Sequence, residues 1–211
     1  SIVLGQDNAR IYAATSTLGA RALDIGESAW TTPSGVLGSM LVAQGGTLLL
    51  ASTGTLTAYE EVTGTPLWSH GVSTDAPIGL TATPTGLIVW ANGSAIVTFA
   101  ATGVPAWEHT FEHALLGLPA IGLDGEILAA TDDGTLTALS VTGSVSWVYA
   151  PGGALLAAPM VDLTCRVFLV SESDDVESSV ISAVDRLGEV AWQRVIEGRV
   201  IAPVPAQDHG V

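Results

Sequence analysis

The stretch Gly64-Thr65-Pro66-Leu67-Trp68 decides the fold, because its pattern of a glycine followed four residues later by a tryptophan recurs along the chain. The five copies run from Gly26 to Trp30, Gly64 to Trp68, Gly103 to Trp107, Gly143 to Trp147 and Gly188 to Trp192. Five of the six tryptophans therefore occupy the same place in a repeat. Successive repeat tryptophans lie 38, 39, 40 and 45 residues apart.

This spacing is typical of a β-propeller, in which each blade is a four-stranded antiparallel sheet of about 40 residues. We therefore predict an all-β chain with a single propeller domain over residues 1–211. The repeats are placed approximately at 1–32, 33–70, 71–109, 110–149 and 150–194, with 195–211 as the start of a sixth blade. No helical period of useful length interrupts this pattern.

Within the repeats, short β-rich runs alternate with turn residues. In the fourth repeat, Gly122-Leu123-Asp124-Gly125 precedes one such run, and Asp132-Asp133-Gly134 separates it from the next. Glycine-containing turns between alternating apolar runs are typical of hairpins. The third repeat has Asn92-Gly93 at the central turn, which predicts a type I′ hairpin centred on these two residues.

The second repeat carries a longer motif, Ala58-x-Glu60-x-x-Thr63-Gly64-x-x-x-Trp68. It resembles the tryptophan-docking repeat of quinoprotein-type propellers, which PQQ-dependent dehydrogenases share with BamB-like envelope scaffold proteins. Shorter versions are Ala22-Leu23-Asp24 before Gly26 and Ala183-Val184-Asp185 before Gly188. The resemblance covers nearly the whole chain.

The resemblance implies that each repeat tryptophan packs on the neighbouring blade near the glycine of its motif. The structural residues would then be Gly26, Trp30, Gly64, Trp68, Gly103, Trp107, Gly143, Trp147, Gly188 and Trp192. A large aromatic side chain used once per blade would contribute about 2–3 kcal/mol each to interblade burial.

The resemblance also bears on the size of the ring, because members of the family usually have seven or eight blades. The run from Ile201 to Ala206 aligns with the innermost strand of a blade, at Ala158 to Val161, and the strands that should follow it are absent. We therefore expect the natural chain to continue past Val211, and to begin before Ser1, with further copies of the repeat.

Composition excludes some functions. Of the 211 residues, 48% are hydrophobic, which is enough for a sizeable core, and no apolar run is long enough for a membrane-spanning helix. The formal net charge is −15, with six arginines and no lysine, so nucleic acid is not an expected partner. The one cysteine, Cys165, is interpreted as a half-buried small residue and allows no intrachain disulfide.

Three patterns suggest chemistry, and a structural interpretation is favoured for each. The sequence His109-Thr110-Phe111-Glu112-His113 matches a zinc peptidase motif that works only on a helix, whereas His109 comes two residues after a repeat tryptophan, where the other repeats have Thr32, His70, Tyr149 and Arg194. The carboxylates Glu172, Asp174, Asp175 and Glu177 resemble a calcium site but are interpreted as a solvated hairpin tip. Asn92-Gly93-Ser94 fits a glycosylation sequon.

Trp90 is the one tryptophan outside the repeat register, and we interpret it as packing in a strand. We expect Trp107→Ala to cost about 3–5 kcal/mol of stability. By the same reasoning, Trp90→Ala should cost distinctly less.

The dehydrogenases of the resembling family hold PQQ with a vicinal disulfide and a bound Ca²⁺. A chain with a single cysteine cannot form that disulfide, and no matching set of cation ligands is found. We therefore expect no catalytic, cofactor-binding or metal-binding residues, and no enzyme activity.

The function expected is a non-enzymatic scaffold, or a module that binds a protein or peptide. It would belong to the bacterial cell envelope, as a periplasmic, outer-membrane-associated or extracellular protein and as a subunit of a larger assembly. The alternatives left open are a degenerate or partial PQQ-dependent oxidoreductase and a carbohydrate- or peptide-binding propeller subunit.

Overall fold

The computed structural model describes residues 2–4, 10–15, 19–24, 27–32, 37–43, 45–52, 54–72, 77–173, 175 and 177–200. The chain divides into two compact units, Ser1–Glu108 and His109–Val211. Every regular element in the described ranges is a β-strand. The sixth-blade strand predicted at Ile201 to Ala206 lies outside them.

The first unit contains three sheets, and the last strand of the third sheet continues past the unit boundary. Their strands are β1 (Ile2–Leu4), β2 (Arg10–Thr15), β3 (Gly19–Asp24) and β4 (Glu27–Thr31); β5 (Leu37–Ala43), β6 (Thr47–Ser52), β7 (Thr55–Glu60) and β8 (Pro66–Gly71); and β9 (Pro77–Ala82), β10 (Ile88–Asn92), β11 (Ala95–Phe99) and β12 (Pro105–Thr110).

The second unit contains two further sheets. Their strands are β13 (Ala120–Ile121), β14 (Ile127–Ala130), β15 (Leu136–Leu139) and β16 (Val145–Tyr149); and β17 (Met160–Val161), β18 (Val167–Glu172), β19 (Ser178–Val184) and β20 (Val190–Glu197). Strand β20 is the longest of the described strands and extends to Glu197.

Each sheet is an antiparallel meander in which consecutive strands are neighbours, with one copy of the Gly-x-x-x-Trp pattern associated with its last two strands. The predicted fold class is therefore confirmed: the chain is all-β and built from four-stranded propeller blades. In each blade the first and last strands form the edges. Among the middle strands, β6, β10, β14 and β15 are buried along nearly their whole length, so both of their faces are covered.

Double coverage explains why β6, β10 and β14 have continuous apolar runs without alternation. In β6, the whole run Leu48–Ala51 is buried. Because successive side chains point to opposite faces, Leu50 packs in a cluster with Tyr12 of the first blade, whereas Leu49 packs in a cluster with Trp90 of the third. The second blade thus contributes to two cores at once.

The outer strands alternate instead. In β8 and β16 the outer strand is exposed except at the tryptophan and at the residue two positions later, which are half-buried. These residues are Trp68 and His70 in β8, and Trp147 and Tyr149 in β16. One face of β8 and of β16 is therefore turned toward protein and the other toward solvent, whereas β20 is exposed along its whole length.

The hairpin in the third blade differs from the prediction. Asn92 is the last residue of β10 and pairs with Ala95, so the two-residue loop is Gly93-Ser94 and not Asn92-Gly93. Gly93 has a φ of 44° and Asn92 has no positive φ. A glycine at the first loop position is typical of a type II′ turn, which needs only that one positive φ, and so the register moves by one residue.

Candidate functional site at the blade-to-blade docking positions

Trp68 lies against the glycine turn of the next blade. Its indole nitrogen donates a hydrogen bond to the Ala101 carbonyl at 3.2 Å. Gly103, in the same turn, has a φ of 85°, and a Cβ built there would come within 3.0 Å of the Trp68 ring. Only glycine suits this position, because it permits both the backbone conformation and the close approach of the indole.

Two other tryptophans make the same contact within their own units. Trp30 donates to the Glu61 carbonyl at 3.2 Å and its ring covers Gly64. Trp147 donates to the Arg186 carbonyl at 2.9 Å and its ring covers Gly188. The docking contact thus combines a buried aromatic face with one directed hydrogen bond.

The alanine of the motif has a role that the sequence argument missed. Trp68 pairs across the sheet with Ala58, and Trp147 pairs with Ala138. Both alanines are completely buried. Directly opposite residues on neighbouring strands share a face of the sheet, so a small residue here leaves room for the indole. Ala22 and Ala183 hold the same position opposite Trp30 and Trp192.

Polar side chains brace the turns that carry the docking glycines. The Asp185 carboxylate accepts the backbone N–H groups of Leu187 and Glu189, both at 2.9 Å. Glu60 accepts the N–H of Thr63 at 2.6 Å, and the hydrogen bonds from Thr63 hold the pKa of the Glu60 carboxyl below its ordinary value. The acidic residue of the motif therefore fixes the turn against which the tryptophan packs.

The position two residues after the tryptophan makes a second interblade contact. His70 bonds to the Gly103 carbonyl through Nε2 and stacks on Phe99, with ring centroids 5.2 Å apart. In the fourth blade, the Tyr149 hydroxyl accepts a hydrogen bond from Gln193 of the fifth at 2.9 Å. Sequence comparison of the repeats identified this position as variable, and the structure gives the reason: different residues can reach the same neighbouring turn or strand.

The first and second blades share a denser contact. The Glu61 carbonyl accepts hydrogen bonds from the Tyr12 hydroxyl at 2.9 Å and from Arg10 and Trp30 at 3.2 Å each. Tyr12 is completely buried, and this burial raises the pKa of its phenol to about 12. A neutral phenol that donates to a carbonyl is therefore strongly preferred here.

The remaining repeat residues are placed as follows. Gly26 lies outside the described residues, and Gly143 has a φ of 83° in the turn before β16. Trp107 is half-buried, and its backbone exchanges two hydrogen bonds with the Thr98 hydroxyl. Trp192 is 37% exposed, in a strand whose residues are all exposed in the part of the chain that the structure describes.

The zinc-peptidase motif does not adopt the geometry that its chemistry needs. His109 is in strand β12, whereas Glu112 and His113 follow in a bend. The His109 ring meets Phe111 edge-on at 4.6 Å, and His113 Nδ1 lies 3.5 Å from an Asp132 carboxylate oxygen. The motif requires two histidines on one face of a helix, and none is formed here.

The acidic hairpin of the fifth blade uses its carboxylates locally. The Asp175 carboxylate accepts the Glu177 N–H at 3.3 Å, and Glu172 lies 3.8 Å from Arg199. Asp174 lies outside the described residues. Within the described ranges, no group of three or more His, Cys, Asp or Glu side chains is arranged to hold a metal ion.

Three single residues also have defined surroundings. The Asn92 side chain is only 7% exposed, which is a poor position for glycan attachment in the folded state. Trp90 is 1% exposed in the core between the second and third blades, so packing is its role. Cys165 has a φ of 60°, at a turn position equivalent to that of Gly125 in the fourth blade.

Four-stranded blades locked by a tryptophan on a glycine turn define a β-propeller of the tryptophan-docking class. The family model described as outer membrane protein assembly factor BamB matches residues 1–99 and 91–205. The chain therefore belongs to this family. Comparison of the sequence with curated proteins gives no match.

Solved structures agree on the fold. BamB from Moraxella catarrhalis is 18% identical with a TM-score of 0.69, and the match covers 92% of this chain and 60% of that one. A protein of unknown function from Bacteroides caccae is 16% identical with a TM-score of 0.55, and that match covers 92% of this chain and 80% of the other. The chain thus spans less than two thirds of the Moraxella protein. None of the described residues forms a helix that could span a bilayer.

Proposed function

We propose that this chain is a non-enzymatic β-propeller scaffold that binds a protein or peptide partner in the bacterial cell envelope. Family membership supports the location, because the family is described as an outer membrane protein assembly factor. Fold alone does not establish function, whereas the contacts of individual side chains bear on it directly. The ten repeat glycines and tryptophans are proposed as the set that locks neighbouring blades.

The observation that carries the proposal is how the polar side chains are used. The carboxylates of Asp133, Asp162 and Asp185 each accept hydrogen bonds from residues of their own turn. Hydrogen bonds from Thr131 and Thr135 hold the pKa of the Asp133 carboxyl below its ordinary value. Carboxylates whose oxygens accept hydrogen bonds from their own turn stabilise that turn and are poorly placed to exchange protons with a substrate.

PQQ chemistry also fits this chain poorly. In the enzymes that the repeat resembles, a vicinal disulfide contacts the cofactor, but Cys165 is the single cysteine. It lies in a hairpin turn, where its N–H donates to the Asp162 carbonyl at 3.1 Å. This chain therefore lacks the pair of cysteines that would contact PQQ.

A reconstitution assay tests the non-enzymatic part. The purified chain would be incubated with PQQ and Ca²⁺ and assayed for alcohol- or sugar-dependent reduction of an artificial electron acceptor. We expect the rate of acceptor reduction to equal that of a heat-denatured control sample of the same chain. Substrate-dependent reduction well above that background would favour an oxidoreductase.

Localisation and partner binding need a separate experiment. The natural gene, tagged at its carboxyl end, would be expressed in its own host, crosslinked in the cells and fractionated. We expect the protein in the envelope fraction, in a crosslinked complex larger than one chain. Recovery in the cytoplasm as an uncomplexed chain would contradict the proposal.

A further inference from the structure

In the second unit, one end of the blades carries a set of exposed aliphatic side chains. Leu123, Val141, Leu163 and Leu187 are 51%, 42%, 88% and 66% exposed. Each is a central residue of one of the four hairpin turns that join the first two or the last two strands of a blade. Polar residues and glycine are the usual choice at such positions, so four aliphatic residues are unusual.

These four turns lie at the same end. Within a meander, the turn after the first strand and the turn after the third strand are on one side, and the turn after the second is on the other. The two blades are aligned, because Trp147, four residues after the turn glycine of its own blade, donates to the Arg186 carbonyl in the corresponding turn of the next. We call this surface, defined by Leu123, Val141, Leu163 and Leu187, the aliphatic end.

The turns of the aliphatic end are preformed in the chain without a partner. Each is closed by a backbone hydrogen bond between its first and fifth residues, at 2.8 Å for Gly122 and Ser140, 3.0 Å for Asp162 and 2.9 Å for Asp185. In the hairpins at the opposite end of the same blades, one turn contains Asp132 and Asp133, and the other contains Asp175 and Glu177 next to Glu172. Both ends therefore carry carboxylates, and the exposed aliphatic turn residues are what distinguishes the aliphatic end.

Charge at the aliphatic end indicates what could cover it. The second unit has fourteen acidic residues and four arginines, so its field is negative. The four turns with the residues that close them contain five acids (Asp124, Glu126, Asp162, Asp185 and Glu189) and two arginines (Arg166 and Arg186). Burial, and then the nearby Asp124 carboxylate, raise the pKa of Glu126.

We infer that the aliphatic end is a docking surface for a partner protein segment in which apolar side chains alternate with lysine or arginine. Apolar residues of the segment would cover the aliphatic side chains, and its cations would face Asp124, Glu126 and Glu189. This inference rests on the proposed scaffold function and names the surface and the chemistry of the partner. Rigid, preformed turns favour it because little ordering is needed on binding.

The test uses the whole chain and a short fluorescent peptide of alternating leucine and lysine, with binding measured by fluorescence anisotropy at low ionic strength. One control peptide replaces lysine by glutamate and another replaces leucine by serine. We expect the leucine–lysine peptide to bind and both controls to bind at least about tenfold more weakly, because each lacks one half of the recognition.

Variants locate the site. The double variant Leu163→Ser/Leu187→Ser should weaken binding about tenfold or more, since exposed leucines are the proposed contacts. The variant Asp124→Asn/Glu189→Gln should weaken it by about threefold, with less salt dependence. Val195→Ser removes a valine that is 68% exposed on outer strand β20, and should leave the dissociation constant unchanged.

All variants change exposed side chains, and equal melting temperatures would show that they fold. The inference is overturned if the parent chain does not bind the leucine–lysine peptide, if the leucine–glutamate peptide binds as well, or if Val195→Ser weakens binding as much as the leucine pair. None of these results bears on the electron-acceptor assay, so failure of the docking surface is distinguishable from failure of the scaffold proposal.

Discussion

The core between the second and third blades and the docking positions along the outer strands use tryptophan in opposite ways. Trp90 is 1% exposed, surrounded by apolar side chains, and its indole nitrogen has no hydrogen-bond partner among the described residues. Trp68 is half-buried, bonds to the Ala101 carbonyl and covers Gly103. Trp90 therefore stabilises the fold through burial alone. Trp68 also fixes the orientation of the second blade relative to the third.

This difference has a physical origin. A docking tryptophan is confined by three groups at once, namely a small alanine opposite it, a glycine under its ring and a carbonyl at its nitrogen. Such a contact can be made only in one relative position of two blades. A core tryptophan gains more from the hydrophobic effect, but it can pack against many arrangements of apolar side chains. It therefore stabilises the fold without fixing the relative position of two blades.

The largest expected effect is Trp90→Ala, which should cost about 3–5 kcal/mol of unfolding free energy because it removes a fully buried aromatic side chain. This reverses the order expected from the repeat register, since half-buried Trp107 should now lose less. Chemical denaturation followed by far-UV circular dichroism measures both.

Trp90→Phe sharpens the same comparison. It should cost much less than Trp90→Ala, because the phenyl ring retains most of the apolar burial and eliminates a donor without a partner. A larger loss for Trp107→Ala than for Trp90→Ala would restore the original order.

Next in size is Gly103→Ala, which should destabilise the chain by about 2–4 kcal/mol, since the new methyl group would meet the Trp68 ring and the backbone would be strained. Gly86→Ala is the matched control: Gly86 also has a φ of 85°, but a Cβ there meets nothing within 4 Å. It should cost only about 1 kcal/mol, from the backbone alone.

The difference between these two variants isolates the docking contact. Their unfolding free energies would be measured under the same conditions. Equal losses would mean that the indole moves aside at little cost, and the docking contact would then not specify the blade position.

A smaller effect is confined to alkaline solution and concerns Tyr12. Because burial raises its folded pKa from 10.0 to about 12, the stability from the neutral phenol is complete below pH 10 and is lost as the pH rises from 10 to 12. Tyr12→Phe should therefore be less stable than the parent at neutral pH but should lose less stability over that range. Ultraviolet titration of the parent should detect a phenol that ionises well above pH 10. Ionisation of all three tyrosines with a pKa near 10.0 would contradict this prediction.

The smallest effect is a gain. Cys165 has a φ of 60°, where equivalent turns have glycine, so Cys165→Gly should stabilise the chain by about 0.5–1 kcal/mol through relief of backbone strain. Cys165→Ala, which keeps the strain, is the control and should give no gain. A stabilisation by both variants would point to the thiol and not to the backbone.

Much of the fold could be predicted from the sequence, because the signal was repeated. The spacing of Trp30, Trp68, Trp107, Trp147 and Trp192 predicted four-stranded antiparallel blades, and this is confirmed. The hairpin at Asn92 was displaced by one residue, because asparagine and glycine both permit turns and the sequence alone does not say which residue leaves the strand first. The stability contribution of Trp90 was underestimated, because Trp90 stands outside the repeat.

The sequence by itself determined the repeat, the strand order within each blade and the composition that disfavours nucleic acid, because these depend on local turn chemistry and on total charge. Only the tertiary structure decided which tryptophan is buried and which residue carries the second interblade contact. It also placed Leu123 and Leu163 at one end with Val141 and Leu187. Burial and adjacency between blades arise from residues about 40 positions apart, and no local pattern records which of them meet.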